Sequence, residues 1–172
     1  MTPQNAVAPA VSGPDSSLAV QDQSVTIETR FGALVFDREN AIYMPRGLMG
    51  YADYRDFGIT DMPDPRLDQF KLLQSFSEPS LSFAVAPLAM ENGLVEACDI
   101  ADACRMLSVA FENAAVLLIV ATRRIANKTQ VSVNLRAPVI IDSASRTGWQ
   151  HVLGNSRYPV RHVIADVNHS AD

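Results

Sequence analysis

Between Ser24 and Leu153 the apolar residues come in short runs, and most runs end at glycine, proline or a cluster of polar turn residues. That punctuation constrains the fold more than any other feature. A buried strand needs only about five residues and a helix at least ten, so runs this short point to strands. Several also alternate, as strands with one buried face do. Val25 and Ile27 alternate with Thr26 and Glu28, and Val131, Val133 and Leu135 alternate with Gln130, Ser132 and Asn134. Strands are expected over 24–30, 33–37, 41–44, 53–60, 69–76, 81–86, 114–122, 130–135, 138–141 and 149–153. The first three read as an antiparallel meander, because their links are too short for parallel crossovers. One stretch has helical spacing: Asp99 is expected to cap a short helix carrying Ile100, Ala103, Cys104 and Leu107. About ten short strands with one short helix give an all-β class, a compact antiparallel β-barrel, since closure removes exposed strand edges.

The chain is expected to divide into a flexible N-terminal tail over 1–23, a barrel domain over 24–164 and a polar C-terminal tail over 165–172. At 172 residues and 48% hydrophobic it can bury a substantial core. Its formal net charge of −5 disfavours direct nucleic-acid binding and favours a basic protein partner. The longest apolar run, 114–121, is far shorter than the roughly 20 residues that span a bilayer, so no membrane role is expected. Cys98 and Cys104 are too few for a disulfide framework, which suits a reducing, cytoplasmic location.

The residues offer little for catalysis. His151, His162 and His169 form no metal-ligand spacing with one another or with the cysteines. His151 reads as a structural histidine, His162 as a surface one and His169 as solvated in the tail. Asp61, Asp64 and Asp68 share a loop, but Pro63 and Pro65 break any calcium-loop spacing. No catalytic residue, cofactor or metal is expected. The alternatives are a small hydrolase using His151 with Asp142 or Cys104, and a barrel that holds a small ligand in an open apolar cavity. The abundance of large aliphatic side chains argues for a filled interior. What stands out is polar residues set into apolar strands. Gln74, Asn134, Arg136 and Asp142 either hold strand ends through hydrogen bonds or rim a protein-binding patch.

Six local motifs occur in one order. They are Thr29-Arg30-Phe31-Gly32, Pro45-x-Gly47-x-x-Gly50-Tyr51, Leu73-Gln74-Ser75 with Pro79-x-Leu81-x-Phe83, Asn134 to Ile141, Gly148-x-Gln150, and Tyr158 to His162. In that order they resemble the bacterial flagellar assembly factor FliW family. Tyr51 stands where that family usually has phenylalanine and Asp142 where it has asparagine; 90–112 matches poorly, and the two cysteines and the N-terminal tail are additional. The resemblance implies a compact β-barrel that binds the translational regulator CsrA and relieves its repression of flagellin synthesis. It also implies flagellin as the competing partner, and antagonism exerted away from the RNA surface. On this reading Gln74, Asn134, Arg136 and Asp142 contact partners.

Overall fold

The computed structural model describes residues 23–168. The expected N-terminal tail lies outside them except for Gln23, and so does His169. The described residues form eleven strands and one α-helix: β1 Ser24–Thr29, β2 Gly32–Asp37, β3 Ile42–Tyr43, β4 Asp56–Asp61, β5 Lys71–Ser75, β6 Ser82–Pro87, α1 Ala97–Leu107, β7 Ala114–Ile125, β8 Lys128–Val133, β9 Val139–Asp142, β10 Thr147–Gln150 and β11 His162–Asn168. The all-β expectation holds.

Nine strands form one sheet in the order β11-β8-β7-β6-β5-β4-β3-β10-β9, and β9 pairs back onto β7. β7 makes this possible through its length. Its first residues, Ala114 to Leu117, pair with β9, and Val120 to Ile125 pair with β8. On its other edge, Leu117 to Ile119 pair with β6. The ladder β7-β6-β5-β4-β3-β10-β9 therefore returns on itself, and β8 and β11 flare away from the ring. β7 thus runs past the strand end expected at 122, because Arg123 and Arg124 continue the ladder opposite Gln130 and Thr129.

The ring is filled. Ile42, Met44, Leu48, Phe57, Leu73, Val85, Leu117, Val139 and Ile141 form one buried cluster inside it. A second cluster joins Ile100, Ala103 and Cys104 of α1 to Val116, Leu118, Val133, Ile140 and Leu153. Burying an aliphatic side chain is worth about 1.5–3 kcal/mol, so these layers set the register of the strands.

Four expectations are corrected. β1 and β2 form a separate hairpin rather than a meander with β3. After β2 the chain makes a 3₁₀ turn at Arg38–Asn40, where Asp37 accepts hydrogen bonds from Glu39 N and Asn40 Nδ2. That turn swings β3 away to pair with β4 and, in parallel, with β10. The sheet is thus antiparallel except at Tyr43↔Thr147. The hairpin packs back through Phe36, which stacks edge-on against Phe76 at 6.0 Å over Gly58. Next, α1 begins at Ala97 with Glu96 at its N-cap, so Asp99 lies in the first turn instead of capping it. The final expected strand, 149–153, is shifted to Thr147–Gln150. Lastly, β11 runs through Asn168, so 165–168 belong to a strand and not to a tail. Its valines at 163 and 167 flank a register shift that hides simple alternation from the sequence.

Candidate protein-interaction surface

The expected contact residues do not converge, and each makes a local hydrogen bond. Gln74 lies on β5, three strands around the ring from β9, and is completely buried. Its Nε2 sits 3.0 Å from the carbonyl oxygens of Ser75 and Leu81 and 3.2 Å from those of Glu78 and Pro79. It therefore staples the Ser77-Glu78-Pro79-Ser80 turn from below, and its burial bars any direct contact with a partner. Its Oε1 has no hydrogen-bond partner among the described residues.

Asn134 and Arg136 share the turn before β9. Asn134 Oδ1 accepts from Ala137 N at 3.0 Å, and Arg136 Nη1 donates to the Asn155 carbonyl at 3.0 Å. Asp142 closes the β9–β10 turn, accepting from Ala144 N at 3.0 Å and Ser145 Oγ at 2.8 Å. Of the four, only Asp142 shares a register row with an exposed aromatic residue. It pairs with Thr147, which pairs with Tyr43.

A different arrangement unites the motif segments. Gly47 sits at φ +60°, and a Cβ there would lie 2.3 Å from the Tyr51 carbonyl oxygen, so only glycine fits. Gln150 then reaches across. Its Oε1 accepts from Met49 N at 2.9 Å, and its Nε2 donates to the Ala137 carbonyl at 3.2 Å. With Asn134 holding Ala137 N, a chain of hydrogen bonds links the 45–51 loop, the end of β10 and the 134–138 turn. Tyr51 is fixed by edge-on stacking on Phe83 at 5.2 Å.

This scaffold presents Tyr43, Met49, Tyr51 and Val152, each 40–51% exposed. Aromatic residues and methionine are enriched in protein interfaces, and a rigidly held apolar surface loses little entropy on binding. Sequence reasoning passed over these four side chains. The signal available for them was the loop motif itself, whose Gly47 requirement implies a backbone built to hold its neighbours out.

A second network fixes the C-terminal motif. The Tyr158 hydroxyl donates to Asp99 Oδ2 and accepts from Glu96 N at 3.0 Å and Arg157 Nη2 at 2.9 Å. Arg157 also pairs with Glu96 at 3.2 Å. It thereby clasps the N-terminus of α1, and its hydrogen bond to Tyr158 raises the Arg157 pKa.

The hydrolase constellation is not assembled. Asp142 is committed to its own turn, Cys104 is buried on the inner face of α1, and His151 packs half-buried with no side-chain hydrogen bond among the described residues. Desolvation raises the Cys104 pKa and lowers that of His151, which favours the neutral form of each. Among the described residues no group of three or more His, Cys, Asp or Glu is placed to hold a metal. Asp64 is engaged by Arg66, a neighbour in its own loop. An open depression of about 530 Å³, lined by Ile59, Lys71, Pro87 and Leu117, lies at one mouth of the ring, whose interior is occupied by side chains.

The model of one protein family, described as FliW protein, matches residues 25–164. The flagellar assembly factor FliW of Syntrophotalea carbinolica is 32% identical over 141 residues, covering 81% of this chain and 96% of that protein. The flagellar assembly factor FliW of Geotalea uraniireducens is 31% identical over 135 residues, covering 78% of this chain and 80% of its own length. A crystal structure of the flagellar assembly factor FliW superposes with a TM-score of 0.62 at 21% identity, over 81% of this chain and 96% of that one.

Proposed function

The chain belongs to the FliW family of flagellar assembly factors, and from that premise we propose that it is a non-enzymatic, cytoplasmic antagonist of the translational regulator CsrA, with flagellin as the competing partner. The observation that carries this reading is the division of the molecule into a filled ring and a rigid, apolar outer surface. With side chains occupying the interior, the outside is what remains for function. Tyr43, Met49 and Tyr51 would make the direct contacts, with Asp142 at their border. Asn134 and Arg136 would act indirectly, by holding the turn beneath, while Gln74, buried under the 77–80 turn, would stay out of the contact.

Charge supports the choice of partner. A chain of net charge −5 attracts a basic RNA-binding protein and repels the RNA that protein carries. Both cysteines are free, Cys98 exposed and Cys104 buried, as suits a reducing compartment.

The test is a translation assay with a flagellin leader, purified CsrA and this protein, with flagellin added last. The reading requires repression by CsrA, relief by this protein and renewed repression with excess flagellin. Absence of CsrA capture at micromolar concentrations would overturn it.

A further inference from the structure

We propose that the free edge of β11 is a docking strand for an extended segment of a partner protein, one bearing a carboxylate side chain that seats between Arg123 and Arg161. β11 ends the strand order and pairs only with β8, so its other side has no strand partner among the described residues. Such an edge presents a row of backbone donors and acceptors that an incoming strand can satisfy. The edge is also apolar: Val163, Ile164 and Val167 are 46%, 41% and 50% exposed. A register shift at Ile164 is its one protective irregularity. The strand contains no proline or lysine, the usual devices against edge pairing, and its one acid, Asp166, is already paired to Lys128 at 2.7 Å.

Charge specifies the occupant. Arg123 and Arg161 line one groove of about 260 Å³ with Gln130 and Ser132. Ser132 of β8 pairs in register with Val163 of β11, Arg123 stands on β7 opposite Gln130, and Arg161 stands immediately before β11, so the groove runs inward from the open edge across β8 to β7. Of the 14 basic residues, Arg66, Lys71, Arg105, Lys128 and Arg157 have carboxylate partners, and the others, Arg123 and Arg161 among them, have none among the described residues. Arg123 and Arg161 have neither an ion pair nor a hydrogen bond among the described residues. Two free guanidinium groups on one groove match a carboxylate, and the adjoining edge demands backbone amides. A peptide supplies both, whereas a nucleic acid supplies only the anion.

The inference rests on the protein-binding reading above but not on which protein is bound. The probe is a labelled peptide of about nine residues alternating valine and threonine, the length of an added strand, with one glutamate near an end. A second peptide carries lysine there instead. The full chain is tested by fluorescence anisotropy and by hydrogen exchange of the β11 amides. The glutamate peptide is expected to bind and to slow exchange in β11. Arg161→Glu is expected to weaken it roughly tenfold and to improve the lysine peptide, and Val163→Lys to weaken both. Both positions are exposed, and circular dichroism confirms that the variants remain folded.

Equal binding of the two peptides, or unchanged exchange in β11, would overturn the proposal. So would concentration-dependent self-association that protects β11, or a gain in β11 exchange on deleting residues 1–22; the edge would then belong to a second copy or to the chain's own N-terminal segment. If CsrA and flagellin are captured equally by wild type and Arg161→Glu while the peptide does not bind, this inference fails alone. If the peptide binds at β11 but neither protein is captured, the preceding reading fails alone.

Discussion

Met49 and Gln150 lie 101 residues apart in sequence, yet the Met49 amide donates to Gln150 Oε1 at 2.9 Å. Because Gln150 Nε2 also donates to the Ala137 carbonyl, one side chain bridges a loop and a turn that no backbone ladder joins. The exposed side chain of Met49 therefore owes its position to a residue near the other end of the chain.

Gln150→Ala removes both bonds at a cost of about 1–2 kcal/mol, lowering Tm by a few degrees. Affinity for the protein partner should fall by more than this loss of stability explains, because the 45–51 loop loses its order. Calorimetric titration beside a thermal melt checks it. An unchanged dissociation constant would remove the loop from the binding surface.

Gly47 and Gly50 both have positive φ, but their surroundings differ. At Gly50 a Cβ meets nothing within 4 Å, so Gly50→Ala should cost about 1 kcal/mol, the left-handed penalty alone. At Gly47 the Cβ would press on the backbone of Tyr51, Ala52 and Tyr54, and Gly47→Ala should cost several times more. Urea denaturation of the two variants reads the difference.

Gln74→Ala should destabilise the fold by about 2–3 kcal/mol, through lost hydrogen bonds and a small cavity. Partner affinity measured on the folded fraction should stay within about twofold, since Gln74 is completely buried. A large loss of affinity in a fully folded variant would restore Gln74 to the interface.

Tyr158→Phe deletes the hydroxyl that gathers Glu96 N, Asp99 and Arg157. The expected cost is about 1–3 kcal/mol. Hydrogen exchange should quicken first in α1, whose N-terminus the hydroxyl clasps, while β4 and β5 remain protected. Uniform acceleration would mean that the clasp is not local.

The hydrogen bond from Arg66 holds the Asp64 carboxyl down to about 2. Its folded-state pKa lies below the unfolded value of about 3.9, so the interaction is fully present above pH 4 or so. It is lost as pH falls toward 2. A carboxyl-detected NMR titration should show this depressed midpoint, and Arg66→Ala should return it to the ordinary range.

The sequence by itself determined the class of fold and most of its strands, because short alternating apolar runs such as 130–135 have few other ways to be buried. It also carried the family resemblance, through motifs whose glycines and polar residues meet strict local requirements. Only the tertiary structure decided how the strands are shared out. β7 is long enough to serve β6, β8 and β9 together, and the turn at Arg38–Asn40 sends β3 to β10. Both outcomes depend on pairings between distant residues, which local periodicity does not encode. The same limit explains the contact residues. Gln74, Asn134, Arg136 and Asp142 are conspicuous in sequence because polar groups in apolar strands are costly, and the fold meets that cost with local hydrogen bonds. Tyr43, Met49 and Tyr51 look like core residues in sequence. Ile42 of β3 faces the filled ring and so leaves Tyr43 outside, and the 45–51 loop, held by Gln150, keeps Met49 and Tyr51 exposed; both depend on contacts between distant residues.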